Sequence, residues 1–185
     1  MSGVKNKKNS FKDEYVRRFE LLQEMIISCY VDWYILECYQ REHEEKKRLL
    51  SQHRILYHIF ALLKQDLCLN LWKICYDSGK KACTLQALVD YLRKENIKSE
   101  YRKSECWKSL RKPISEARNK YLAHSDFERD TGIILIAELK KLLDESRDTL
   151  NGLALKGYGV KGLTDISLSI YEMQTIRDVK SLLLL

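Results

Sequence analysis

The residues best suited to chemistry lie in the nine-residue stretch from Arg118 to Asp126. Within seven residues it brings together Arg118, Asn119 and His124, close to the only proline of the chain. A guanidinium can hold a phosphate through two parallel N–H groups, and an imidazole exchanges protons near neutral pH. These residue types suffice to cut RNA without a metal ion. An ordinary arginine and histidine at a helix end would give the same pattern, so this alternative stays open.

Cleavage of RNA by its own 2′-hydroxyl needs a base, an acid and positive charge around the reacting phosphorus. A single His124 cannot be base and acid at the same time. On one helix, the six residues from Arg118 to His124 correspond to about 9 Å along the axis and about 120° around it, so the two side chains point differently. A two-fold dimer would supply two copies of each residue. We therefore expect a homodimer with a composite site.

The segment from Arg93 to Lys120 is the most basic part of the chain. Its ten basic and four acidic residues carry +6 of the formal +7 charge of the whole protein. Such a local excess attracts polyanions, although a solvated helix face would also explain it. Tyr91, Tyr101 and Tyr121, which lie in or next to this segment, could stack on unpaired bases, but packing inside the bundle is the favoured interpretation for them. The residues predicted to bind RNA here are Arg111, Lys112, Lys120 and Tyr121.

Composition indicates one globular domain among the 185 residues. One proline and seven glycines are few for this length, which favours long helices. No apolar run reaches the roughly 20 residues that cross a bilayer, and the polar first residues do not form a secretory signal. We therefore expect a cytoplasmic protein with no membrane partner. The six cysteines show neither CxxC pairs nor zinc-ligand spacing, which predicts reduced thiols and no metal or cofactor.

Apolar residues recur at helical spacing, and no period-two stretch is long enough to predict a strand. The fold class is therefore all-α, an antiparallel bundle of about five to six helices. We expect residues 1–10 to form a mobile basic arm and residues 11–185 a single helical domain. A charged run separates two apolar stripes, so a break should divide two antiparallel helices there. The stripes are Tyr15, Phe19, Leu22, Ile26, Cys29, Trp33 and Leu36, and then Leu49, Leu56, Ile59, Leu63, Leu67, Leu71 and Ile74.

Capping residues place the next two helices. Thr84 precedes a short amphipathic segment, Leu85 to Arg93, and Ser104 precedes the segment that carries the Arg118 motif. Pro113 lies inside that second segment, so it is either one kinked helix or two helices that meet at the proline.

A further helix is predicted from about Ile133 to Leu155, and a last one from Thr164 or Asp165 to about Leu182. Between them, residues 157–162 match the letters GxGxxG of a dinucleotide-binding loop. That motif works only after a strand, whereas here a helix precedes it, so we interpret the segment as a plain loop.

The block from Arg118 to Asp126 resembles the signature of the HEPN superfamily, in which an arginine and a polar residue are followed, after four to six positions, by a histidine. Its sequence is similar to that of the abortive-infection, AbiU-like branch, and the likeness extends over about residues 45–155. The resemblance implies an HEPN-like bundle. It also implies a metal-independent endoribonuclease that acts as a toxin or in antiviral defence, and that dimerises so that two motifs share one cleft.

By this resemblance, Arg118 and His124 take the catalytic places and Asn119 the supporting polar place. It also implies an antitoxin protein as a partner, since such toxins are usually paired with one. Other members of the superfamily have lost activity. The alternative is therefore a non-catalytic helical module that binds RNA, a nucleotide or a partner protein.

Overall fold

The computed structural model of the protein describes residues 2–41, 54–79, 82–101, 103–123, 136–155 and 158–183, without the side chains of residues 2–9, 56–57, 120–123, 166 and 182–183. Within these ranges the secondary structure is helical and includes no strand, which confirms the all-α fold class. The helices are α1 (Ser2–Arg41), α2 (Arg54–Cys75), α3 (Leu85–Lys94), α4 (Glu105–Ala123), α5 (Ile136–Gly152) and α6 (Asp165–Leu183).

Helix α1 is the central element, because α2, α3, α5 and α6 all pack against it. Its predicted apolar stripe is confirmed: Tyr15, Phe19 and Cys29 are fully buried, and only Trp33 is half-buried. The helix begins at Ser2, so the backbone of residues 2–9 is helical. The mobility of that stretch stays a prediction.

The antiparallel packing of α1 and α2 is confirmed by two contacts along their length. Tyr39 near the end of α1 stacks on Phe60 near the start of α2, with 4.0 Å between ring centroids. Asp32, seven residues before Tyr39, faces Asp66, six residues after Phe60, so the two helices run in opposite directions. The break predicted in the charged run from Arg41 to Arg48 falls, apart from Arg41, outside the described residues, so it stays a prediction.

The second predicted stripe is only partly right. Leu67, Leu71 and Ile74 are fully buried, but Ile59 is 42% exposed and lies near the still more exposed Ile55. Helical spacing identifies one face of α2 but not how far along the helix its neighbours extend. Leu49 and the side chain of residue 56 lie outside the described residues.

Both predicted N-caps are confirmed. The hydroxyl oxygen of Thr84 accepts from the backbone N–H of Ala87, and that of Ser104 accepts from the N–H of Trp107. Such bonds satisfy N–H groups that have no partner within the first helical turn. Pro113 lies within the continuous helix α4, so two separate helices at this position are excluded.

Helix α5 ends at Gly152 and α6 begins at Asp165, where the hydroxyl of Thr164 accepts from the N–H of Ser167. The described part of the intervening segment contains turns and no regular structure, which confirms the loop interpretation of the glycine motif. In the described part of the chain, none of the helices combines the length and apolar character needed to cross a bilayer.

Candidate functional site: a basic groove along α4

An open groove of about 500 Å³ lies between α4 and the C-terminal part of α2. Helix α4 turns an apolar face, which includes Trp107, Leu110 and Ile114, into the bundle, so the positions between them face outward. We call this surface the α4 groove. Its lining residues are Trp72 from α2 and Lys108, Arg111, Lys112, Ser115 and Glu116 from α4.

Arg118, the arginine of the sequence motif, packs on this groove. Its guanidinium carbon lies 4.9 Å from the ring centroid of Trp72, and the side chain is half-buried. A cation over an indole face is attracted by the negative face of the ring, typically by about 0.5–2 kcal/mol. The contact holds Arg118 beside Trp72, which lines the groove.

A row of three aromatic rings connects α2 to α4 beneath the groove. The centroid of Trp72 lies 5.5 Å from that of Tyr76, which lies 4.9 Å from that of Trp107. The Tyr76 hydroxyl donates to the Trp107 carbonyl at 2.8 Å, and the Trp107 indole N–H donates to the Cys75 carbonyl at 3.3 Å. Burial raises the pKa of Tyr76, so its hydroxyl keeps its proton. These bonds fix the rings as a rigid floor.

Positive charge dominates the α4 groove. Lys108 pairs with Glu105, and Lys112 lies 3.8 Å from Glu116. These ion pairs are solvent-exposed, and exposed pairs contribute little free energy. Both lysines can therefore exchange a carboxylate for a phosphate at small cost.

Only some of the predicted site residues are found at the α4 groove. Arg111 and Lys112 line the groove and Arg118 packs on its indole, whereas Asn119 is exposed on α4 and is not part of the groove lining. Lys120 and Tyr121 belong to α4, but their side chains lie outside the described residues. His124 also lies outside them, so its pairing with Arg118 stays a prediction.

Sequence reasoning missed the aromatic part of the site. Trp72 directly follows Leu71 of the buried stripe, so helical geometry places it off that face, and this was the available signal. Two of the tyrosines expected to pack inside the bundle, Tyr91 and Tyr101, do so, whereas the side chain of Tyr121 lies outside the described residues. Tyr91 stacks on Phe11 with 5.0 Å between centroids, and burial raises the pKa of Tyr101.

The cysteines contribute packing. Cys29, Cys68 and Cys75 are buried between helices, and burial raises the pKa of Cys75 to about 12, so this thiol stays protonated at neutral pH. Within the described ranges, no three histidine, cysteine, aspartate or glutamate side chains are grouped so as to hold a metal ion.

Comparisons of this chain with protein-family models, with curated proteins and with solved structures found no match.

Proposed function

We propose that the protein is a metal-independent endoribonuclease that binds unpaired RNA in the α4 groove. The supporting observation is that the motif arginine, Arg118, packs on Trp72 of α2. Trp72 lines the same groove as Arg111 and Lys112 of α4. Cations neutralise phosphates, and the half-buried indole of Trp72, which lines the groove, offers a stacking surface to a base. A strand along α4 would therefore place its backbone beside Arg118.

The proposed reaction is attack of a ribose 2′-hydroxyl on the adjacent phosphorus. The new bond joins phosphorus to the 2′-oxygen, the bond to the 5′-oxygen breaks, and the products are a 2′,3′-cyclic phosphate and a 5′-hydroxyl. Arg118 stabilises the charge on the phosphorane. By the resemblance to HEPN proteins, His124 takes the proton from the 2′-hydroxyl, the His124 of a second protomer protonates the leaving oxygen, and Asn119 supports them.

The same resemblance suggests the biological role, that of a toxin in abortive infection or antiviral defence, restrained by an antitoxin protein. Expression of the intact chain in bacterial cells should then arrest growth, and the His124→Ala variant should not. Growth arrest of equal strength by both would contradict this role.

A non-catalytic RNA-binding module is the second candidate. It is favoured by the chemistry of the groove lining, which consists of three cations, an indole, a hydroxyl and one carboxylate, Glu116, that lies near Lys112. The cations bind a polyanion and the indole stacks on a base, which suffices for RNA binding without catalysis.

Cleavage of labelled single-stranded RNA in excess EDTA tests the proposal. We expect the purified protein to cut RNA and His124→Ala to lower the rate by roughly 10²–10⁴-fold, because one proton-transfer group is lost. Arg118→Lys keeps the charge but removes the two-pronged contact, so its rate should fall by roughly 10²-fold. Arg177→Ala, at an exposed arginine of α6, serves as the control and should cut as the parent does.

Two further measurements make the outcome decisive. Circular dichroism shows whether each variant keeps its helices, and light scattering gives the mass of the assembly. Cleavage by His124→Ala at the parent rate, or full activity of a strict monomer, would overturn the composite site. Salt-sensitive RNA binding that Arg118→Ala abolishes, with no cleavage by the parent, would establish the second candidate instead.

A further inference from the structure

A second pocket adjoins the α4 groove. It encloses about 320 Å³ between α3 and α4, and we call it the α3–α4 pocket. Arg111 lines both the groove and the pocket, so it forms the partition between them. The volume lies at the lower end of the range of roughly 300–1,000 Å³ that small-molecule sites occupy. One nucleotide is a ligand of suitable size.

One wall of the α3–α4 pocket is cationic. Lys103 and Arg111 both lie over the indole of Trp107, with the ammonium nitrogen 4.7 Å and the guanidinium carbon 5.8 Å from its centroid. Both side chains are exposed, so they can move onto a ligand without leaving a buried gap. These groups suit the phosphate of a nucleotide rather than its base.

The opposite wall, on α3, carries a negative charge instead. The side-chain amide of Gln86 donates to the carboxylate of Asp90 at 2.9 Å, and both residues line the pocket. The same carboxylate oxygen also lies 3.8 Å from Nη1 of Arg93 in an exposed ion pair, and the two contacts orient the group. A carboxylate repels phosphate and accepts hydrogen bonds from N–H groups, such as the amino group of cytosine. This wall therefore suits a base edge.

We infer that the α3–α4 pocket is a second nucleotide subsite, which takes the base next to the one stacked on Trp72 while Arg111 holds the phosphate between them. The inference rests on the proposed binding of RNA in the α4 groove. It also narrows the substrate class. The base in the pocket must be unpaired, because the deep and narrow major groove of an A-form RNA duplex keeps the cytosine amino group out of reach of a side chain such as Asp90.

Cytosine and uracil provide a direct test, because they share a ring and differ in an amino donor against a carbonyl acceptor. We expect the full-length protein to bind a labelled oligocytidine about tenfold more tightly than an oligouridine of equal length, as measured by fluorescence anisotropy at constant salt. A duplex of either oligonucleotide with its complement should bind more weakly than the same oligonucleotide as a single strand.

Asp90→Asn separates base recognition from general electrostatics. The substitution removes a negative charge, so electrostatics alone predicts tighter binding of both strands and an unchanged preference. The inference predicts instead that the preference for oligocytidine falls to about twofold or less. Asp178→Asn, which makes the same charge change at an exposed position of α6, is the control and should keep the preference.

The outcomes distinguish this inference from the proposed function. Tight binding without a preference, or a preference that survives Asp90→Asn, would overturn the second subsite and leave the α4 groove in place. Absence of RNA binding by the parent protein would overturn both. Loss of the preference in Asp90→Asn, with retained affinity for oligouridine, would support the subsite.

Discussion

Helix α2 presents two polar regions of opposite design, six residues apart along the chain. At Asp66 it faces Asp32 of α1, so two carboxyl groups meet where α1 and α2 pack. At Trp72 it faces Arg118 of α4, and cations meet an aromatic surface. Asp32 is only 7% exposed, whereas the α4 groove is open to solvent. The first arrangement affects the stability of the fold, and the second leaves charge available to a ligand.

The close approach of the two carboxyl groups is explained if Asp32 keeps its proton. Burial first, and then the charge of Asp66 and a hydrogen bond to it, raise the pKa of Asp32 to about 7. One oxygen of Asp32 is buried and lacks a hydrogen-bond partner among the described residues, while Asp66 also accepts from the amide of Asn70 at 2.9 Å. A neutral carboxyl can tolerate such a position, whereas a carboxylate there is destabilising.

The largest expected effect is therefore on stability against pH. The folded protein keeps the Asp32 proton up to about pH 7, whereas the unfolded chain releases it near pH 4, so unfolding becomes easier as the pH rises between these values. We expect the unfolding free energy to fall by roughly 2–4 kcal/mol from pH 4 to pH 8 on account of Asp32. Urea denaturation across this range measures it.

Asp32→Asn keeps the shape of the protonated acid and replaces its O–H donor with an N–H donor, but it cannot ionise. This variant should lose most of the pH dependence and be more stable than the parent at pH 8, with little difference at pH 4. Asp178→Asn on α6 should leave the curve unchanged. If Asp32→Asn follows the same curve as the parent, Asp32 is not the group that titrates.

An intermediate effect is expected at the other region of α2. Trp72→Ala removes the stacking surface and should weaken binding of single-stranded RNA by about 1–3 kcal/mol, with Trp72→Phe between it and the parent. Asp32→Asn should leave the RNA affinity unchanged, since Asp32 is buried between α1 and α2. Anisotropy titrations of these variants test whether the two regions are independent. Equal losses in Trp72→Ala and Asp32→Asn would show that they are coupled.

The smallest expected effect concerns the start of α4, which carries most of the groove. Ser104→Ala removes the N-cap acceptor for the Trp107 N–H and a hydrogen bond to Glu145, so stability should fall by about 1 kcal/mol. Thr84→Ala at the start of α3 is the matched comparison. A shift in the urea midpoint reports both, and no change in Ser104→Ala would show that the cap is dispensable.

The parts of this fold that could be predicted from sequence are local. The stripe of α1 and the caps Thr84 and Ser104 were predictable, because helical spacing and capping act over three or four residues. The position of Arg111 and Lys112 on the outer face of α4 follows from the same spacing. Ile59 was predicted to be buried and is exposed, because packing partners cannot be counted from one helix.

The remaining features depend on distant pairs. Arg118 meets Trp72, and Asp32 meets Asp66, only after α2 has been placed against α4 and α1. No spacing rule connects residues so far apart in the chain. The resemblance of the motif pointed to Arg118 but not to its indole partner, which is the feature that turns a basic helix face into a groove with a floor.

The chain contains three tryptophans, and two of them, Trp72 and Trp107, belong to the ring row under the groove. The third, Trp33, lies on α1 beneath the ammonium of Lys140. Occupancy of the groove alters the surroundings of the first two chromophores and leaves the third as a constant background. The intrinsic tryptophan fluorescence of the unlabelled protein should therefore change when a ligand binds in the groove.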